Sequence, residues 1–473
     1  MSNPIDRSTL RPANPDSMNT VEQTFVTQAG GIPDGRVRAK SASSRRCQAW
    51  LAGGIVMLMV GFSDSADAQP TGFNYDETKV PSFELPDVLT TAAGEPVTTT
   101  QQWKEVRRPE ILHLFEEHVF GTLPKNAVRL RVRERSSVNN AVNGKALRRE
   151  LIVSFSDDDN GPAMEILIYT PVHAPGPVPC FLALNFNGNH SIEADPSIHL
   201  SESWMREDAK RGNINHRATE ATRGSAASRW PVEMIIDRGY GLATIYYGDI
   251  DPDFDDGFQN GIHAMLEQNP QQRPANAGGS ISAWSWGLSR ALDILELDAK
   301  VDGRKVAVMG HSRLGKTSLW AGATDERFAM VISNDSGCGG AALSRRCFGE
   351  TVRRINTSFP HWFCRNHRQY NDNENALPVD HHMLLALMAP RPVYVASAEE
   401  DQWADPRGEM LSLYYATPVF ELFGKKGLSS DQLPPVNEPI QTDVGYHIRT
   451  GKHDVTDFDW TQYLNFADRH LKE

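Results

Sequence analysis

Cysteine is scarce in this sequence, five among 473 residues, and there is no long basic cluster and no apolar run long enough to cross a bilayer comfortably. Each shortage removes a class of protein. Disulfide-framed scaffolds need a far higher cysteine density, so the fold must rest on its own core, for which 40% hydrophobic residues suffice. A formal charge of −12 without a basic stripe lacks the electrostatic footprint of a nucleic-acid binder. Cys338, Cys347 and Cys364 are spaced by 9 and 17 residues, which matches no zinc pattern, so no metal is expected.

The longest apolar stretch, Leu51 to Phe62, covers 12 residues, short of the roughly 20 a membrane helix requires. Arg45 and Arg46 precede it and Ala66-Asp67-Ala68 follows, the charged start, apolar middle and small-residue cleavage site of a secretory signal. Cleavage is expected after Ala68, leaving a periplasmic or secreted protein with no stable membrane association. Residues 1–68 are set aside as an N-terminal extension plus signal, its late position pointing to an over-extended start or a long leader. In an oxidising compartment Cys180, Cys338, Cys347 and Cys364 can pair, and a local disulfide within the cluster 338–364 is expected. A monomer is the expected state.

Residues 69–102 read as a polar lead-in, and 103–473 as a single catalytic domain. Ile111, Leu112, Leu114, Phe115 and Val119 have helical spacing, ended by Gly121 and Pro124. Three alternating runs, "VRLRVRERS", "KALRRELIVSFS" and "AMEILIYTPV", predict an antiparallel meander. Then the pattern changes to short continuous apolar runs, "VPCFLALNF", "GYGLATIYYG", "KVAVMG", "FAMVISND" and "PRPVYVASA", as in strands buried on both faces of a parallel sheet. Between them "SISAWSWGLSRALDILELD" places Trp284, Leu288, Leu292, Leu295 and Leu297 on one stripe. The fold class is α/β with a mixed, mostly parallel sheet between helices, a three-layer sandwich. Ten Trp suit either core or a carbohydrate-facing surface.

The stretch "KVAVMGHSRLGKTSLWAG" fits two chemistries. Gly310 through Thr317 matches the phosphate-binding G-x-x-x-x-G-K-[ST], with Asp335 at the end of a following strand as a superficial magnesium ligand. Alternatively, Ser312 lies between a strand and a helix opening near Leu314, as an esterase nucleophile does. Several α/β units precede Gly310, and an exported protein meets little ATP, so the first reading is the weaker one. Ser312 also has partners in the α/β-hydrolase order, Asp401 after the strand "PRPVYVASA" and His453 in a Gly-flanked turn before the last helix. Such groups converge at the carboxyl ends of an open sheet. The imidazole takes the hydroxyl proton and the carboxylate fixes its tautomer. The elbow departs from G-x-S-x-G in having Gly315 one position late, with Arg313 after the nucleophile. Its N–H is the expected first oxyanion donor, and a guanidinium folded back over the site would add charge there.

"GHSRLGK" resembles the G-C-S-R-x-G-K signature of the glucuronoyl esterases, carbohydrate esterase family fifteen. The likeness extends through "SRWPVEMIIDRGYGLATIYYGDIDPD", "SNDSGCGGAALSRR", "FPHWFC", "LPVDHHMLLALMAPRPVYVASAEEDQWADPRGE" and "GYHIRTGKHDVTDFDW". It implies an α/β-hydrolase without cofactor that cleaves esters between 4-O-methyl-glucuronic acid of glucuronoxylan and lignin alcohols; an acetyl-xylan or other carbohydrate esterase is the alternative. By the same resemblance, Ser312 is the nucleophile, His453 the base, Arg313 the oxyanion arginine, and Lys316, Glu350 and Trp403 the sugar contacts. The acid is open between Asp401, preferred, and Asp335, which matches a Glu in some members. His311 replaces the family cysteine, so that family bridge is absent. Asp454 and Asp457 are read as caps, His381 and His382 as packing under the site, and Trp362 as core. Asn187-Gly188-Asn189 is a candidate for the second oxyanion donor.

Overall fold

The computed structural model of the chain describes residues 69–472, apart from 126–127, 159–160, 268 and 270–271; the signal segment and Cys47 lie outside the described residues. Ten strands form one sheet: β1 (Arg131–Asn140), β2 (Ala146–Ser154), β3 (Ala163–Pro171), β4 (Val178–Asn185), β5 (Gly241–Tyr246), β6 (Val301–His311), β7 (Met330–Asn334), β8 (Val393–Ala398), β9 (Ile440–Gln441) and β10 (Val444–Arg449). Their spatial order is β1-β2-β3-β5-β4-β6-β7-β8-β10-β9. β1, β2 and β3 form the expected antiparallel meander, and β3 also pairs antiparallel with β5. From β5 through β4, β6, β7 and β8 to β10 the pairing is parallel, with β9 closing that edge antiparallel.

The five apolar runs are β4 to β8, every residue of β5, β7 and β8 being buried. They need helices on both faces. On one face pack α1 (Arg108–His118), α2 (Ser280–Leu295), α3 (Arg313–Thr324) and α4 (Pro406–Leu422), with Phe115, Trp284, Leu319 and Phe420 in one core cluster. On the other lies α5 (Asp457–Leu471), whose Trp460, Tyr463 and Phe466 join a second cluster with Phe181 and Tyr394. The buried stripe of α2 stops at Leu295, and Leu297 is 38% exposed, because the helix has ended and the chain is turning toward β6. Residues 69–102 are not outside this body, since Val88 and Val97 belong to the first cluster.

Two strands escaped the sequence pattern, the two-residue β9 and β10 beside it. β10 is fully buried yet carries His447 and Arg449, so it does not read as an apolar run. Their polarity is answered by one residue of α5: Asp459 accepts from His447 Nε2 at 2.8 Å and from Arg449 Nε at 2.8 Å. It also accepts from the backbone N–H of Thr456, completing the capping box that starts α5. Thr456, not Asp454 or Asp457, is therefore the cap; Asp457 only adds charge to the first turn, and Asp454 pairs with Arg229 at 2.5 Å. Asp459→Ala leaves two buried groups unanswered and is expected to lower stability by about 3 kcal/mol, read from the midpoint of denaturant unfolding at unchanged slope.

Candidate active site

β6 ends in a backbone conformation that few residues tolerate. Ser312, directly after it, has φ 58° and ψ −128°, and α3 begins at the next residue. A positive φ on a residue with a Cβ costs of order 1–3 kcal/mol and persists only where the surroundings impose it. Ser312 N–H donates to the Asn334 carbonyl of β7 at 2.9 Å, and the Ser312 carbonyl accepts from Gly315 N–H at 2.9 Å. Gly310 is obligatory, because a Cβ there would lie 1.8 Å from the Leu314 carbonyl oxygen. A Cβ on Gly315 would lie 2.9 Å from Ser336 Cβ, so the late glycine serves the approach of α3 to the turn after β7. The backbone makes a tight strand-to-helix elbow with Ser312 at its tip, and the phosphate-loop reading fails on Lys316. Its ammonium is buried and donates to the Ser336 carbonyl at 2.5 Å, with the carboxylate of Glu350 the leading charge upon it.

Asp401 and His453 lie on the loops after β8 and β10. His453 Nδ1 donates to Asp401 Oδ2 at 2.6 Å, and Asp401 is buried. Asp335 is the second carboxyl of this corner: one ligand-type atom from each of Asp335, Asp401 and His453 falls within 4.8 Å of the others. Asp335 itself accepts from Asp454 N–H at 3.3 Å and faces Arg449 at 3.6 Å. Burial and the neighbouring Asp401 charge push its carboxyl well above the ordinary range. The direct bond to the imidazole thus belongs to Asp401.

His311, in the cysteine's place, lies against His453 with ring centroids 4.4 Å apart, and donates to Asn334 Oδ1 at 2.6 Å. Burial, with the His453 charge next, holds it well below the usual imidazole range. The expected local disulfide is absent: Cys180, Cys338, Cys347 and Cys364 are all free thiols. Nearness in sequence does not bring the cluster together. Cys338 sits beside Lys316 and Glu350, Cys347 against the Ser344 carbonyl, and Cys364 against the Glu117 carbonyl near α1.

Arg313 occupies the first helical turn, where backbone N–H groups have no intrahelical acceptor. Its guanidinium does not simply fold back over Ser312: Nη1 donates to Asp253 at 2.7 Å, and the cation lies 5.0 Å from the Trp362 ring and 5.3 Å from Phe186. Asp253 is the anchor that the sequence reading missed. It also accepts from His361 at 2.9 Å and from Trp362 Nε1 at 2.7 Å. Burial alone would raise its carboxyl, but Arg313 and His361 hold it well below the carboxylate range. The signal was available: "GDIDPD" follows the end of β5, a carboxyl end of the parallel sheet. Trp362 is buried as expected, stacked on Phe359 at 3.8 Å. Asn187 lines a hollow beside His311, whereas Asn189 is spent on Asn185, Thr244 and the Glu165 carbonyl.

Glu350 is half-buried, its N–H donating to the Trp403 carbonyl at 3.0 Å, so Lys316, Glu350 and Trp403 gather on one side of the elbow. Below them Glu409, fully buried, accepts from the N–H groups of Ser336 at 2.8 Å and Gly337 at 2.9 Å and from Ser397 Oγ at 2.6 Å. Two successive N–H groups around one carboxyl oxygen form an anion nest, which sets the Ser336 carbonyl where Lys316 meets it. Burial pushes the Glu409 carboxyl up to about 8. His381 and His382 pack beneath, His381 lowered to about 4 by burial and His382 Nε2 donating to the Pro86 carbonyl at 2.9 Å.

A family model described as glucuronyl esterase, fungi, matches residues 272–424. Carbohydrate esterase MZ0003, from an unknown prokaryotic organism, is 52% identical over 405 residues, covering 85% of this chain and 93% of its own length. The 4-O-methyl-glucuronoyl methylesterase of Schizophyllum commune is 26% identical over 384 residues, 78% of this chain and 81% of its own. Among solved structures, a promiscuous CE15 esterase from a marine bacterial metagenome aligns with a TM-score of 0.80 at 52% identity, over 85% of this chain and 100% of that one. A glucuronoyl esterase from Solibacter usitatus aligns at 0.79 with 49% identity, over 83% of this chain and 99% of that one. A strained serine elbow, an Asp–His pair at the ends of two later strands and likeness over most of the chain lead to one assignment: the chain belongs to the glucuronoyl esterases of carbohydrate esterase family 15, carboxylic ester hydrolases of the α/β-hydrolase fold.

Proposed function

We propose that this chain is an exported serine esterase that hydrolyses the ester between 4-O-methyl-D-glucuronic acid of glucuronoxylan and lignin alcohols. The observation that carries the reading is on α3: Ser312 caps the helix and Lys316, one turn on, presents a buried ammonium beside Glu350. A reactive hydroxyl and a uronate-binding cation thus share one rigid element. Lys316, Glu350 and Trp403 hold the sugar ring, and the scissile carbonyl lies over Ser312. Relatives named 4-O-methyl-glucuronoyl methylesterase support the substrate class.

The reaction runs in two displacements. Ser312 Oγ attacks the uronate carbonyl while His453 takes its proton, and Asp401 steadies the imidazolium through Nδ1–H. The tetrahedral oxyanion faces the Arg313 N–H, within the field of a guanidinium that Asp253 holds in place. Collapse breaks the ester bond, and the departing alcohol takes the proton from His453. Water, deprotonated by His453, then cleaves the acyl-enzyme, returning the proton to Ser312 and releasing the uronic acid. Export rests on the leader read at residues 51–68. Among the described residues no helix is long and apolar enough to cross a membrane. Because a relative 52% identical is described as promiscuous, activity on further esters, acetylated xylan included, is the second reading.

A panel of methyl and benzyl glucuronate esters against acetylated xylan tests the substrate. Uronate ester turnover is expected to dominate, and acetyl release alone would overturn the reading. Ser312→Ala should lower kcat by about 10⁴ or more. In the acid pair, Asp401→Asn is expected to cost about 10⁴ in kcat by disturbing the imidazole tautomer, while Asp335→Asn keeps most of the activity; the reverse pattern would move the acid to Asp335. Only neutral His453 accepts the serine proton, and His311 is already held neutral by burial. The acid limb of log kcat/KM against pH should therefore fall with a slope of one; a slope of two would show His311 titrating with the base.

A further inference from the structure

The polar lead-in takes part in the site. From Gln69 onward the chain runs across the loops that carry Glu350 and Trp403, tied there by several contacts, Gln69 Nε2 to the Glu400 carbonyl at 2.6 Å among them. Gly349 N–H donates to the Asn74 carbonyl at 2.8 Å, and Arg346 bonds Glu77 at 2.6 Å. Just ahead of these last two ties Phe73 meets the Trp403 ring edge to face, centroids 4.8 Å apart at 88°. Two residues on, the Tyr75 hydroxyl donates to the Pro70 carbonyl at 2.9 Å. Burial, with the charge of Asp401 next and that of Glu350 after it, pushes that phenol up to about 12. An indole held on one face by its own loop alone would be free to turn. Here a separate segment, from the other end of the chain, fixes its plane.

We infer that Phe73 is a positioning residue for Trp403, and that this N-terminal strap sets the preference for uronate esters through it. The inference rests on Trp403 and Glu350 being the uronate contacts proposed above. The ring partners of Phe73 are Trp403 and the Arg354 guanidinium, so its loss should reach the sugar and spare the chemistry.

The test uses the full chain with methyl glucuronate ester and p-nitrophenyl acetate as paired substrates. An edge-to-face pair of this kind corresponds to about a three- to tenfold effect. Phe73→Ala is expected to raise KM for the glucuronate ester by that factor, with kcat and p-nitrophenyl acetate turnover within about twofold of wild type. Phe73→Tyr, which keeps the ring, should restore the KM. An unchanged KM, an equal loss on both esters, or no recovery in Phe73→Tyr would overturn the inference. Should Phe73→Ala fail to fold, Phe73→Leu keeps the apolar bulk and removes the aromatic edge; it must raise the glucuronate KM in the same direction, and an unchanged KM refutes the strap's role. Trp403→Ala separates the two readings. If it raises the glucuronate KM while Phe73→Ala does not, only the strap fails; if wild type shows no preference for the glucuronate ester, the substrate reading itself falls.

Discussion

The positive φ at Ser312 is the constraint on which the rest of the site depends. It turns the chain from the middle of a parallel sheet into α3 within one residue, and two neighbours enforce it: the absence of a side chain at Gly310 and the Asn334 carbonyl that takes the Ser312 N–H. Once the turn is fixed, the helix axis is fixed, and with it both the Arg313 N–H and the Lys316 ammonium. The strain is spent on exposing one hydroxyl at the carboxyl edge of the sheet, where the loops after β8 and β10 deliver Asp401 and His453.

Around that turn, buried carboxylates do the positioning. Asp253 collects Arg313, His361 and Trp362; Glu409 collects the turn after β7; Asp459 ties β10 to α5. Each answers several donors at once, which is what makes an acid tolerable in a dry interior. None touches a reacting atom, and each sets a residue that does or that holds one.

The strands and the elbow were legible because burial on both faces leaves an uninterrupted apolar signature, and because a tight strand-to-helix turn needs glycine close by. Ser312 and Asp401 were legible for the same reason, each lying just past such a run, and His453 from its Gly-flanked turn before the last helix. β10 was not, since His447 and Arg449 break its apolar character and their compensation by Asp459 lies 10 to 12 residues away on another element. The thiol cluster misled, because a spacing of 9 or 17 residues says nothing of direction once turns such as that at Cys347, with φ 47°, intervene. The lead-in looked featureless for a related cause: Phe73 and Tyr75 are isolated aromatics in a polar stretch, and only the folded chain gives them Trp403 and Phe348 to meet.

His311 joins the elbow to the loop of His453 through a ring contact rather than a covalent bond. A ring-on-ring contact with His453 is made and broken by thermal motion, needs no oxidant, and survives a reductant. With Cys180, Cys338, Cys347 and Cys364 all unbridged, the described fold is complete without thiol chemistry. Packing, hydrogen bonds and ion pairs alone hold it together.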